Sequence, residues 1–443
     1  MQTFDITAFG AEPDTLCTQA IQAAFDAADA AGGTVVVPRG TYLTGTVNMR
    51  SASLVLEKGA VLKGSPDRRD YRPIGYIHNE LGDVTSLLYA KHVRDITIGG
   101  EGKIDLNGGA FYDFDKPIAS KDDVMPMTPE QWAECTVEHG FRPNQPICFL
   151  ECHHVTVRGI TITDAPCWTL CFLQCTDVRV LDLDIDNRLN VPNCDGMHFC
   201  GCRDMFVRGC RITAGDDCIA FSSITDWNQP CERAVVSDCV FCSASKAISI
   251  GYMHSIVRDI TISNCIVNRS NRAVAIMSSA KTGLVEDVLL SNLRLDARVY
   301  AGNWWGHGEP ICLMTTRHNN DTYRDGQPED RFDVSIRRIQ MQNIIASGEN
   351  AMAMVSDEET IEEVWMDGVV YRRLDSPNLP LRGHMIDLAP GRQTARLDED
   401  ECCWLYLRDV QDVHITRARA LPWHDREMTV YEENCRGVTI RTE

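Results

Sequence analysis

The chain has 443 residues, of which 44% are hydrophobic and 24% charged, so it can bury a large core. Its formal net charge of −20 argues against nucleic acid or an anionic membrane surface as a partner. No run of eighteen apolar residues is present, so no membrane-spanning helix is expected.

The opening stretch, MQTFDITAFGAEPDT, lacks the basic and apolar regions of a signal peptide, which sets the expectation of a cytoplasmic protein. Next, TLCTQAIQAAFDAADAAGG (15–33) has the spacing of an amphipathic helix ended by a Gly pair. TVVVPRGTYLTGTVNM then reads as a strand, a Pro-Gly turn and a second strand, so residues 1–50 form an N-terminal cap and the first strands. A helix in that place would cover the open end of a strand stack, where unpaired edges invite aggregation.

Beyond the cap, one short unit recurs. An early copy is DITIGGEGKI (95–104), followed by HVTVRGITI (154–162), DVRVLDLDI (177–185), DMFVRGCRI (204–212), AVVSDCVF (234–241), DITISNCIV (259–267) and DVLLSNLRL (287–295). Fainter copies are DVSIRRIQM (333–341), EVWMDGVVY (363–371), DVHITRARA (412–420) and GVTIRTE (437–443). From 154 onward the six clear copies recur every 23 to 29 residues. Each alternates apolar and polar positions, breaks at Gly, Asp or Asn, and resumes as another short strand. A period of that size with several strands per unit indicates a solenoid. Leucine-rich repeats would need recurring leucines, and ankyrin or tetratricopeptide repeats would show helical periodicity. The pattern therefore predicts an all-β fold, a single-stranded right-handed parallel β-helix with an N-terminal capping helix.

Two segments break the repeat, 107–147 and 299–330, and long excursions from a solenoid usually form loops on one face, often beside a binding cleft. With no linker or low-complexity stretch, a single domain over 1–443 is expected. Many of the twenty cysteines lie inside strand-like runs, which suits reduced thiols buried as small hydrophobes. Cys239 and Cys242 have CxxC spacing, and Cys167, Cys171 and Cys175 are evenly spaced. Neither set has a second CxxC or a histidine pair, so no metal and no cofactor are expected.

The chemistry concentrates in CDGMHFCGCRDMFVRGCRITAGDDCIAF (194–221). Asp195 precedes Asp216 by 21 residues, slightly less than one coil, which stacks the two on neighbouring coils about 5 Å apart at the backbone. Asp217 follows directly. Three carboxylates this close repel, so at least one should keep its proton toward neutral pH. Such a set can cap backbone N–H groups at a turn. It can equally ligate Ca²⁺, or act as the acid and base of a hydrolase. The bare residues do not choose among these.

The motifs do point to a relative. Asn193-Cys194-Asp195-Gly196 and Gly215-Asp216-Asp217-Cys218 resemble the Asn-Thr-Asp-Gly and Gly-Asp-Asp-Cys motifs of the polygalacturonase family, glycoside hydrolase family 28. Flanking text at 40–71 and 142–172 is similar too, and the resemblance covers roughly residues 1 to 295. It implies a parallel β-helix, an oligosaccharide substrate and an inverting mechanism. Asp216 would be the general acid, with Asp195 and Asp217 holding and deprotonating the water, and Asn193 beside them.

Departures from the family pattern are equally informative. SKAISIG (245–251) puts Lys246 where the family has a histidine. AVAIM (273–277) puts Ala275 and Met277 at the two basic positions of an Arg-Ile-Lys strand that grips a substrate carboxylate. Arg272 and Lys281 flank that run out of register, and Arg272, like Lys246 and Asn193, is expected to contact the substrate. Losing two cations suggests a pectic oligosaccharide with a neutral or unusual sugar beside the scissile bond, as in the rhamnogalacturonan-cleaving branch. The negative net charge agrees, since an acidic sugar would need local cations. His198 is expected to line the cleft. NWWGHGEP (303–310) offers Trp304, Trp305, His307 and Glu309 for stacking on sugar rings and gripping hydroxyls. Trp168 reads as a packing residue. The absent export signal and the long excursions together suggest an imported oligosaccharide cut from one end. Two other readings stay open, a uronic-sugar lyase or epimerase and a non-catalytic carbohydrate-binding solenoid. The sequence carries no signal for an oligomeric state.

Overall fold

A computed structural model of the chain describes residues 2–114, 137–138, 141–223, 229–279, 282–300, 305–315, 333–358, 360–375, 385–386, 388, 395–396 and 403–442. Its strands form one long parallel ladder wound as a β-helix. Between 147 and 223 each coil lays down three short strands. The first face carries Ile147–Leu150, Leu170–Leu173, Met197–Cys200 and Ile219–Ser222, each paired in parallel with the next. His153–Arg158, Thr176–Leu181, Arg203–Arg208 and Cys231–Ser237 make the second face. Thr161–Thr163, Asp184–Asp186 and Arg211–Ala214 make the third.

The repeat read from the sequence is this second face. Val155, Val178, Met205, Ala234, Ile260 and Val288 sit in register on successive coils, and all are buried. Its breaks are left-handed corners: Gly159, Asp182, Gly209, Asp238, Asn264 and Asn292 all have φ between 50° and 70°. Gly, Asp and Asn tolerate that conformation, which explains the composition of the breaks. The aspartates that open several units (Asp177, Asp204, Asp259 and Asp287) are left-handed as well. Corner asparagines also bond to one another, Asn292 Nδ2 donating to Asn264 Oδ1 at 3.1 Å and Asn343 Nδ2 to Asn292 Oδ1 at 3.2 Å.

Inside the coil, Phe149, Phe172, Phe199 and Phe221 stack nearly parallel at centroid distances of 5.4, 5.0 and 5.4 Å. That spacing follows from the distance between paired strands. The described cysteines are free, and all but Cys242 and Cys435 are buried, as core thiols should be. Several close a carbonyl of the previous coil: Cys175 Sγ donates to Phe149 O at 3.3 Å and Cys202 Sγ to Phe172 O at 3.1 Å.

The helix Thr18–Ala31 turns Ile21, Ala24, Phe25 and Ala28 inward and ends at Gly32, φ 63°. Gln22 Nε2 donates to Asn48 O at 3.0 Å while its Oε1 accepts from Asn48 N at 2.9 Å, satisfying backbone groups much as a neighbouring strand would.

Two further pieces cover the outer surface of the first face. Pro73–His78 and Gly82–Thr85 form an antiparallel hairpin. Its Ile74 and Val84 pack on Cys148, Leu150, Cys171, Leu173 and Cys200. Farther along the same face, Ile386 and Leu388 pack on Ala275, Met277, Cys312 and Met314. Between these two coverings runs the strand Ile219–Ser222, which directly follows the turn bearing Asp216 and Asp217. Neither piece was foreseen from the sequence.

Candidate active site

The chain enters the first face through tight turns, and two glycines set how tight. A Cβ on Gly196 would lie 2.4 Å from Ile212 Cγ2 and 2.5 Å from the Cys218 carbonyl oxygen. One on Gly215 would lie 2.2 Å from the Val191 carbonyl oxygen. Glycine beside each acid therefore lets one coil lie against the next. Gly196 N donates to Asp217 O at 2.8 Å, and Cys218 N donates to Lys246 O at 3.2 Å. Lys246, Arg272 and Glu309 continue in register. The turn edge thus reads Asp195, Asp217, Lys246, Arg272, Glu309, one residue per coil. Asp216 stands next to this row and is the most water-accessible of the three aspartates.

Asp195 is 3% exposed, and burial followed by the charges of Asp216 and Asp217 holds its carboxyl well above the ordinary range. One oxygen, Oδ2, lies 3.2 Å from His198 Nδ1; the other, Oδ1, is buried with no hydrogen-bond partner. Asp217 is 6% exposed and pushed up to about 7, chiefly by burial and then by Asp216, against the pull of Lys246 and Ser249. Lys246 Nζ sits 3.1 Å from Asp217 Oδ1. Burial works against the lysine's charge, but Asp217, Asp216 and Asp195 outweigh it and keep Lys246 protonated. The same ammonium lies 4.4 Å from the centre of the Trp305 ring, a cation–π contact. Tyr252 stands beside that indole at 5.8 Å, on a backbone strained to φ 103°. Retention of a proton near neutrality, expected for crowded acids, is present here.

Other residues expected at the site take different places. His198 does not line the cleft. It is buried, stacks on Trp168 with ring centroids 3.7 Å apart, and lies 3.0 Å from Ser222 Oγ through Nε2. Burial pushes its pKa well down, so it is neutral and orients Asp195. Arg272, Glu309 and His307 are corrected from substrate contacts to supports. Arg272 Nε pairs with Glu309 Oε2 at 3.5 Å with both side chains wholly buried, and Glu309 Oε2 accepts from His307 N at 2.6 Å. A buried charge needs its partner more than the groove needs either. Asn193 holds the turn at φ 52° and accepts from Arg142 Nη2 at 2.9 Å. Trp304 and Lys281 lie outside the described residues.

Ala275 and Met277 have no solvent exposure, so the two positions that would carry cations are sealed under apolar cover. Sequence reading missed Glu80, at the turn of the 73–85 hairpin, whose carboxyl interacts with Lys246, Asp216 and Asp217. The available signal was spacing: Leu54 and Ile98 pair in register yet stand 44 residues apart, leaving room for an insertion. No group of His, Cys, Asp and Glu among the described residues is arranged to hold a metal.

The clustered aspartates thus lie at one edge of a parallel β-helix with Lys246 against them. The chain belongs to glycosyl hydrolases family 28, whose profile matches residues 29–370. It is 24% identical over 288 residues to an exopolygalacturonase of Zea mays, spanning 62% of each chain. It is 26% identical over 180 residues to Polygalacturonase QRT2 of Arabidopsis thaliana, spanning 41% of this chain and 36% of that one. Both matches cover less than two thirds of those relatives' length. Among solved structures, the family 28 exopolygalacturonase of Yersinia enterocolitica superposes with a TM-score of 0.73 at 17% identity, covering all of this chain and 79% of its own. A hyperthermoactive exopolygalacturonase of Thermotoga maritima gives 0.64 at 19% identity, over 84% and 87% of the two chains. These superpositions agree with the wound fold described above.

Proposed function

We propose that the protein is an inverting glycoside hydrolase that cuts a galacturonosyl linkage at one end of a pectic oligosaccharide, next to a neutral leaving sugar. The observation that carries this reading is the arrangement of Asp195, Asp216 and Asp217 against Lys246, between the two covered stretches of the face. The partnerless Oδ1 of Asp195 is an acceptor for a water, and once ionised, at the higher pH its surroundings impose, this carboxylate takes a proton from that water more readily than an ordinary one. Asp216, open to solvent, is the group a leaving oxygen can reach. Acid and base on separate residues, with room for water, is the requirement for inversion. A lysine kept protonated has no free pair to abstract a sugar proton, which disfavours a lyase.

End-on action is supported by the hairpin at one side and by Ile386 and Leu388 at the other, which leave a short acidic stretch of face. The printed names of the maize, Yersinia and Thermotoga relatives also speak of exopolygalacturonases. A neutral leaving sugar is supported by Ala275 and Met277, which are apolar and sealed at the two positions that would carry cations. The test is turnover of galacturonan and rhamnogalacturonan oligomers, following the released sugar and its first anomer by NMR. Expected are a monosaccharide or short end product of inverted configuration and no near-ultraviolet absorbance. Asp216→Asn should lower kcat about 1,000-fold while leaving the melting temperature nearly unchanged. A retained anomer, or an unsaturated product, would overturn the mechanism.

A further inference from the structure

The hairpin Pro73–His78/Gly82–Thr85 does more than cover apolar surface. Its turn is fastened to the acid centre by an unbroken chain of contacts. Glu80 N donates to His78 Nδ1 at 3.2 Å. The His78 ring meets Trp168 edge-on at 5.1 Å, Trp168 stacks on His198 at 3.7 Å, and His198 Nδ1 lies 3.2 Å from Asp195 Oδ2. Ile74 and Val84 pin the base of the hairpin to the face. Glu80 is therefore carried on a turn fastened beside Asp195, with its carboxyl in the field of Lys246, Asp216 and Asp217, and the residue is exposed.

We propose that Glu80 is a specificity-determining residue that reads the end of the chain: its carboxyl accepts a hydrogen bond from the hydroxyl of the terminal sugar that, in an internal sugar, carries the next residue. This rests on the function proposed above, with the leaving sugar on the Ala275 side and the terminal sugar on the hairpin side. Above its raised pKa the carboxyl is ionised and only accepts, so it can bond a free hydroxyl and cannot bond the glycosidic oxygen that replaces it in an internal residue. Burial, and then the nearby Asp216 and Asp217, push the Glu80 carboxyl up to about 7 despite Lys246.

The experiment compares two oligosaccharides that differ only at that hydroxyl, one native and one deoxy. Each is measured for kcat/KM with the wild type and for affinity by calorimetry in an Asp216→Asn background. The wild type should favour the native end about 10- to 100-fold, as a hydrogen bond to a charged group would. In Glu80→Ala the ratio should collapse to near one in both assays, and Glu80→Gln, which keeps an acceptor oxygen, should fall between. A change in fold would weaken both ligands together and leave their ratio intact. A ratio preserved in Glu80→Ala would overturn the proposal. Absence of turnover with a collapsing affinity ratio would sink the hydrolase reading and leave the role of Glu80 standing.

Discussion

Two rows of side chains climb the same coils, four residues apart in each strand, and they differ in kind. Inside, Phe149, Phe172, Phe199 and Phe221 repeat one residue type, ring on ring. At the turn edge the residue type varies along the row, through Trp168, Asp195, Asp217, Lys246, Arg272 and Glu309. The backbone ladder is indifferent to side chains, so both rows cost the fold the same hydrogen bonds. What differs is the volume each must fill. The interior has one solution per layer, set by close packing. The edge is free of that repeat, so it stacks acids on acids at Asp195 and Asp217 and ions on counter-ions at Arg272 and Glu309.

The contrast is broken most strongly from inside. Phe199→Ala removes a ring with a neighbour on each side and should lower stability by about 4 kcal/mol, read as a fall in the denaturant midpoint at constant slope. A loss below about 1 kcal/mol would mean that the coils relax independently and that the stack is not the shared core described here.

At the edge, Lys246→Met should have the next largest effect, and its size should depend on pH. It leaves Asp217 buried without its cation, so stability should fall by about 3 kcal/mol at pH 8. The loss should shrink near pH 5, because Asp217 escapes by keeping a proton. Unfolding curves at the two pH values check this. An equal loss at both would show that Lys246 acts through packing on Trp305 and not through charge.

How much of this was legible follows from the same contrast. The second face was readable because its corners demand Gly, Asp or Asn and its pleat alternates, so period and composition agree. The acids were readable because Gly196 and Gly215 stand next to them for steric reasons, making the motifs compact. Arg272 and Glu309 were misread because charge on its own suggests a groove. Their mutual burial depends on residues 37 apart meeting through register, across an excursion of irregular length. His198 was misread for the opposite reason, since nothing local shows that Trp168, a full coil earlier, covers it. Glu80 was hidden because PIGYIHNELGDVT alternates like the repeat while folding back as a hairpin outside it.

The smallest effect is also the one that ties stability to chemistry. Asp195 ordinarily titrates near 4 in an unfolded chain, and in the folded protein it holds its proton to much higher pH. Between those two values the folded state binds more protons than the unfolded one, so raising the pH drains stability across that window. The same sign holds for Asp217 from about 4 up to about 7. Asp67 and Asp367, whose arginine partners hold them down to about 2, act with the opposite sign and only below that window. Asp195→Asn removes one titrating acid and relieves its neighbours, so its melting temperature should exceed that of the wild type by an amount that grows from pH 4 to pH 8. The gain should come with loss of turnover, since the oxygen that receives the water's proton is gone. A difference in melting temperature that stays flat with pH would mean that the buried acids are not strained against one another, and the argument from crowding to catalysis would fail with it.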